Sequence, residues 1–279
     1  MPLLQDPPSH AVDTAALLNA LNGLKKGDFS VRLPVEWTGV AGKVADTFNE
    51  VIELNERMAA VLLREGRAAE AEKAYREALP NDSKNPEVHD GLGVALLMQG
   101  RFKDAFSSFD RAVELDSGRT LYRIHRGMAC LELGRFKDAE ADFRAGESSP
   151  SPEDRLDAAI NRGRLKQRQK DFTAAEDAFS EALSRNPKSS SALIGRGIAR
   201  EARGALEPAA EDYLEAIRLE PRNAEAHLRL GLVLVTLKKT ALGRRYLERT
   251  IELDPAGELG AKARLLLDSD SANTVAPRR

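Results

Sequence analysis

The sequence predicts an all-α chain of about six stacked helix pairs, closed by a further helix and preceded by a separate helical segment. Three observations carry this. The string Gly-Arg-Phe-Lys-Asp-Ala occurs at Gly100–Ala105 and again at Gly134–Ala139, 34 residues apart. Small and bulky residues recur on that period over most of the chain. The 279 residues are 42% hydrophobic but only 5% aromatic, so the cores must be built largely from Ala and Leu, both strong helix formers.

The register extends both ways from the duplicated string. Helix-packing small residues stand at Ala71, Ala105, Ala139, Ala175, Ala209 and Gly243. A bulky residue follows each at Tyr75, Phe109, Phe143, Phe179, Tyr213 and Leu247, and a small one after that at Ala78, Ala112, Gly146, Ala182, Ala216 and Thr250. Upstream, Gly93, Gly127, Gly163, Gly197 and Gly231 let two antiparallel helices approach closely. Pro187, Pro221 and Pro255 end second helices, because proline lacks the amide hydrogen and clashes with the preceding turn. Two steps read as longer than 34: about two extra residues at Asn81-Asp82-Ser83-Lys84, and a lengthened loop at Ser148–Pro152.

A 34-residue period with these classes resembles the tetratricopeptide-repeat family over residues of about 58–255. The resemblance implies a right-handed superhelix of about six helix pairs with a concave groove. One pair cannot bury its apolar face alone, so the units must stack and the ends need capping. Leu259, Ala263 and Leu265–Leu267 place a cap helix at 256–268, with a disordered tail expected over 269–279 and a disordered start over 1–14.

Three repeats carry Arg-Gly at the small-residue position: Arg126, Arg162 and Arg196. Asp142 and Asp212 lie sixteen residues after the first and the third, and where the Arg is missing so is the Asp, with Leu92 matched to Ser108 and Leu230 to Tyr246. We expect Arg126–Asp142 and Arg196–Asp212 to be internal ion pairs between the helices of one repeat, in bidentate geometry. Arg162 is irregular, with Ala178 opposite and Asp177 beside it.

Residues 15–57 follow a different pattern. Leu17, Leu21 and Leu24 mark an amphipathic helix, Gly27-Asp28 breaks it, and Phe29–Pro34 alternates apolar and polar as an extended connector. Val44, Phe48, Val51, Asn55 and Met58 then keep heptad spacing on a second helix. The run Lys26–Pro34, with Trp37-Thr38-Gly39, Phe48-Asn49-Glu50 and Leu54–Met58, resembles a HAMP domain, the relay module of bacterial sensor proteins. That resemblance implies a homodimeric parallel four-helix coiled coil through residues 15–57, with Val31, Leu33 and Val40 plugging its seam.

The sequence offers little for chemistry. With 42 basic and 44 acidic residues, no charge excess calls for nucleic acid. No apolar run approaches about 20 residues, so no membrane insertion is expected. The start lacks the pattern of a secretory signal, and the chain is expected in the cytoplasm. No cofactor or metal is expected. His10, His89, His125 and His227 do not share metal-ligand spacing on a helix. His89 and His227 occupy equivalent repeat positions and read as packing residues. Cys130 reads as an inert buried thiol, and no glycine-rich phosphate loop is present.

What can bind is the groove face of the first helices. Asp90, Ile124, His125 and Met128 should line it, then Asn161, Arg164 and Arg168, then Ile194, Ile198 and Arg229. An apolar patch beside a cationic one suits an amphipathic or extended peptide with acidic groups. The expected function is therefore a non-enzymatic scaffold or adaptor that holds a protein segment, dimerised or regulated through residues 15–57. A weaker resemblance, to the pilotin-type repeat lipoproteins of type IV pili, implies instead an assembly factor for the pilus secretin. It would be periplasmic or associated with the outer membrane.

Overall fold

The structure, a computed structural model, describes residues 14–25, 33, 43–44, 58–79 and 83–275. The chain divides into two compact units, residues 1–142 and 143–279. All regular structure among the described residues is helical.

The first unit holds α1 (Thr14–Lys25), α2 (residues 58–64), α3 (Ala68–Ala78), α4 (Pro86–Met98), α5 (Phe102–Leu115) and α6 (Thr120–Glu132). Helix α7 (Phe136–Glu147) runs across the boundary. The second unit holds α8 (Pro152–Arg168), α9 (Phe172–Arg185), α10 (Ser190–Ala202), α11 (Leu206–Leu219), α12 (Ala224–Thr236), α13 (Thr240–Leu253) and α14 (Glu258–Val275). Helices α3 to α6 in the first unit and α8 to α14 in the second each pack on their neighbours in sequence, and first helices of successive pairs also touch, α4 on α6 and α8 on α10.

The same turn joins the two helices of every pair. The second residue after the first helix takes a left-handed conformation at Gly66, Gly100, Gly134, Lys170, Gly204 and Lys238. The next amide then bonds five residues back, as in Arg101 N to Leu96 O at 2.9 Å and Lys239 N to Leu234 O at 2.8 Å. This closes the helix on its own orphan carbonyls. Four first helices are started by side-chain caps: Asn85, Ser151, Ser189 and Asn223 accept from the amides of Glu87, Asp154, Ala192 and Ala226. Second helices stop two residues before the predicted prolines, at Arg185, Leu219 and Leu253.

The core follows the repeat classes. Ala71, Ala105, Ala139, Ala175 and Ala209 are fully buried, as are Phe109, Phe143, Phe179 and Tyr213. Phe179 shows why small residues are needed. A Cβ on Gly163 would lie 2.7 Å from its ring, and one on Gly195 would lie 2.4 Å from it. The ring is wedged between two first helices, α8 and α10, and glycine on both leaves room for it.

Two expectations need correction. Turn glycines Gly66 and Gly100 keep the 34-residue step, so the first repeat has no extra residues; instead α3 ends early, at Ala78. The closing helix does not stop near 268 but runs to Val275. Asp254 starts it, its Oδ2 accepting from the amides of Leu259 and Gly260, and Ala263 is fully buried with Leu228 and Leu247. Of the segment compared with a HAMP domain, α1, Leu33, Lys43 and Val44 are described, and Lys43 and Val44 are helical. The rest of its connector and of its second helix lies outside the described residues, as does His10.

Candidate functional site

The exposed faces of the first helices form the candidate site, and internal struts fix how those helices are held. In the first unit, Arg126 Nε and Nη2 donate to Asp142 Oδ2 and Oδ1 at 2.9 and 2.7 Å, a bidentate pair across one repeat. Its remaining Nη1 donates to Asp110 Oδ1 at 2.8 Å, sixteen residues back, on the second helix of the preceding repeat. The guanidinium thus ties α6 to both α5 and α7, and these carboxylates raise its pKa further. In the second unit, Arg196 Nη2 donates to Asp212 Oδ1 at 2.6 Å, and Arg200 Nη1 to Asp212 Oδ2 at 2.9 Å. Arg162 does not use Asp177. It pairs with Glu147 and Glu181, each at 2.6 Å, because Ala178 stands where the other repeats place Asp.

A second set of contacts was not visible in the sequence. Glu72 on α3 accepts from Gln99 at 2.7 Å and from Arg101 at 2.5 Å, both in the turn of the next repeat. Burial opposes its ionisation, but these bonds outweigh it and hold the carboxyl below its usual range. At the equivalent position, Phe106 packs under the Arg135 guanidinium, 4.2 Å from the ring centroid. Glu176 on α9 likewise bonds Arg200 and Arg203, whose pull outweighs burial and lowers its pKa. Glutamate and phenylalanine share no residue class, so the 34-residue register gave no signal for this clasp.

On the groove face of the first unit, Asp90 and His125 meet, with Oδ1 2.8 Å from Nδ1. The His125 ring packs on Phe109 with centroids 5.5 Å apart. Met128 is half-buried beside them, but Ile124 is 1% exposed and belongs to the packed interior rather than the groove. In the second unit, Arg164 and Arg168 are exposed on α8. Asn161 is buried, its Nδ2 donating to Asp157 O and its Oδ1 accepting from Arg164 Nη1 at 3.0 Å. It therefore positions Arg164 rather than facing a ligand. Gln167 donates to Gly195 O at 2.8 Å, cross-linking α8 and α10. Ile194 is 8% exposed and is also interior, whereas Ile198 is half-buried. Arg229 stands 3.9 Å from Glu201 and 3.6 Å from Glu225.

The two matched histidines are structural. His89 and His227 each place Nε2 against a loop carbonyl, Ser83 O at 2.9 Å and Pro221 O at 3.1 Å. Cys130 is fully buried, and burial pushes its thiol up to about 11, far from a reactive thiolate. Among the described residues no group of three His, Cys, Asp or Glu side chains is placed to hold a metal ion, and no helix is long and apolar enough to cross a membrane.

Stacked antiparallel helix pairs on a 34-residue period, joined by a repeated left-handed turn, define a helical-repeat protein. The repeats are tetratricopeptide repeats: profiles described as tetratricopeptide repeat or TPR repeat match residues 57–120, 156–189, 197–238 and 224–256. The small glutamine-rich tetratricopeptide repeat-containing protein 2 of Mycosarcoma maydis is 28% identical over 109 residues. That match takes in 37% of this chain and 31% of that protein. In fold, the chain is similar to PilF of Pseudomonas aeruginosa, with a TM-score of 0.61 and 19% identity, over 78% of this chain and 98% of that one. It is similar also to PilW, described as a widely conserved type IV pilus biogenesis factor, with a TM-score of 0.66 and 18% identity, over 77% and 97%. Tetratricopeptide repeats act as protein-interaction scaffolds.

Proposed function

We propose that this chain is a non-enzymatic scaffold that binds a segment of another protein along the first helices of its repeats. The observation that carries the reading is the cationic face of α8. Arg164 and Arg168 are exposed there, and buried Asn161 braces Arg164 through its amide oxygen. A guanidinium held by one nitrogen keeps the rest of its planar fork for a carboxylate, which suits an acidic segment. Residues 15–57 would dimerise such a scaffold in the HAMP-like manner, presenting two binding faces and raising avidity without new contacts. The cytoplasm is the proposed compartment. Affinity capture with the full chain, against the Arg164→Glu/Arg168→Glu variant, tests the site. Loss of acidic partners is expected, and an unchanged set would remove the α8 face as the site.

A second reading is an assembly factor for type IV pilus biogenesis. It is supported by the match to nearly the whole length of PilF and PilW. Cell fractionation separates the two readings, because an outer-membrane or periplasmic pool contradicts the cytoplasmic scaffold.

A further inference from the structure

The Asp90–His125 pair fixes the chemistry of the groove in the first unit. An ionised carboxylate can only accept, so the 2.8 Å bond places the proton on Nδ1. The neutral ring then keeps Nε2 as a bare acceptor. Nε2 makes no hydrogen bond among the described residues, and the unpaired polar atoms sealed from solvent belong to other side chains. The two side chains are 21% and 13% exposed, so the pair sits at the surface of the groove. Its setting is apolar. Phe109 packs on the ring, Leu121 and Met128 lie one turn to either side on α6, and Val94 lies one turn beyond Asp90 on α4, all three half-buried.

The charges around the ring favour the neutral form of a ligand. Asp90 on α4 supplies a negative charge, and α5 contributes the Phe109 ring. On α6 itself, Arg126 is neutralised by Asp142 and Asp110, and burial pushes the Tyr122 phenol up to about 12, so it stays uncharged. An acidic side chain laid here at neutral pH would meet the Asp90 carboxylate and a bare acceptor.

We propose that His125 Nε2, its tautomer set by Asp90, is the acceptor that reads a backbone N–H or side-chain amide of an extended, uncharged segment of a partner protein lying over α4 and α6. The inference rests on the scaffold reading and names the partner chemistry of its first unit.

Two measurements on the full chain test this. Long-range 1H–15N spectra at pH 7.5 should show His125 protonated on Nδ1, and a mixture of tautomers in Asp90→Asn; an Nε2–H ring in the unaltered chain overturns the proposal. A random dodecapeptide phage library is then selected on the chain at pH 7.5, with and without prior depletion on the His125→Phe variant. Peptides poor in Asp and Glu should survive depletion. They should bind His125→Phe about threefold to tenfold more weakly, the worth of one neutral hydrogen bond, and His125→Gln should restore them. Enrichment that depletion abolishes overturns this inference and leaves the scaffold standing, whereas no enrichment in either arm removes both.

Discussion

Arg196 and Asp212, sixteen residues apart, face each other across one helix pair, with the carboxylate 3% exposed and bonded by two guanidiniums. Removing Asp212 leaves Arg196 and Arg200 without the carboxylate they share, which costs far more than losing the pair. Asp212→Ala should therefore lower stability by about 3 kcal/mol, whereas Asp212→Leu combined with Arg196→Leu should cost less than either single change. Urea denaturation of the three variants checks the order. A double variant less stable than both singles would show that the strut holds more than its own charges.

Gly163 should tolerate no side chain. Alanine would bring its Cβ 2.7 Å from the Phe179 ring, which is pinned on its other face against Gly195. Gly163→Ala is expected to destabilise by about 1–3 kcal/mol, the usual cost of overpacking, despite the better helix propensity of alanine. Gly118, whose Cβ would meet only Asp116 Oδ1 at 3.3 Å, supplies the control. Thermal melts of the two alanine variants should separate them clearly.

Lys238 holds a left-handed conformation, with φ of 61°, at the turn position that Gly66, Gly100, Gly134 and Gly204 occupy elsewhere. A Cβ there strains against the following carbonyl by about 1–2 kcal/mol. Lys238→Gly should raise stability by about 1 kcal/mol, reduced by the loss of a cation near the helix C-terminus. A urea midpoint that falls instead would assign Lys238 a bond worth more than the strain.

His227 gives the fold a pH dependence. Burial lowers its pKa, outweighing the bond to Pro221 O, and Arg249 adds to the lowering. Below its unfolded pKa of about 6.5, the unfolded chain takes up a proton that the folded chain refuses. This histidine's contribution therefore weakens as the pH falls from about 6.5 to its folded pKa, by at most about 1.4 kcal/mol per pH unit, and is then constant. Urea midpoints at pH 7.5, 6.5 and 5.5 should converge between His227→Gln and the unaltered chain as the pH drops. A constant difference across that range would place the ring's titration elsewhere.

Much of the fold could be read from the chain because its signals are periodic. Ala105 and Ala139, or Phe109 and Phe143, repeat on one step, and each needs a residue of one size at one place. The Arg126–Asp142 and Arg196–Asp212 pairings showed in the same way, as co-occurrence at a spacing of sixteen. Two groove assignments failed for a common reason. Ile124 and Ile194 were placed by helical spacing, but a first helix packs on second helices at either side, and the boundary between buried and exposed faces depends on how neighbouring repeats are rotated. Asn161 stands at a groove position by spacing, but its amide is taken up by Asp157 O and Arg164.

The sequence by itself determined the helix pairs, their period, the small-against-large packing rule and the internal arginines, because these obey local spacing within about 34 residues. Only the tertiary structure decided the clasps of Glu72 and Glu176 on the following turns, the choice of Glu147 and Glu181 by Arg162, and the meeting of Asp90 with His125. All but the Arg162–Glu181 contact join successive repeats, where partners are set by the distance and rotation between helix pairs rather than by position within one, and chemically different residues can fill the same place.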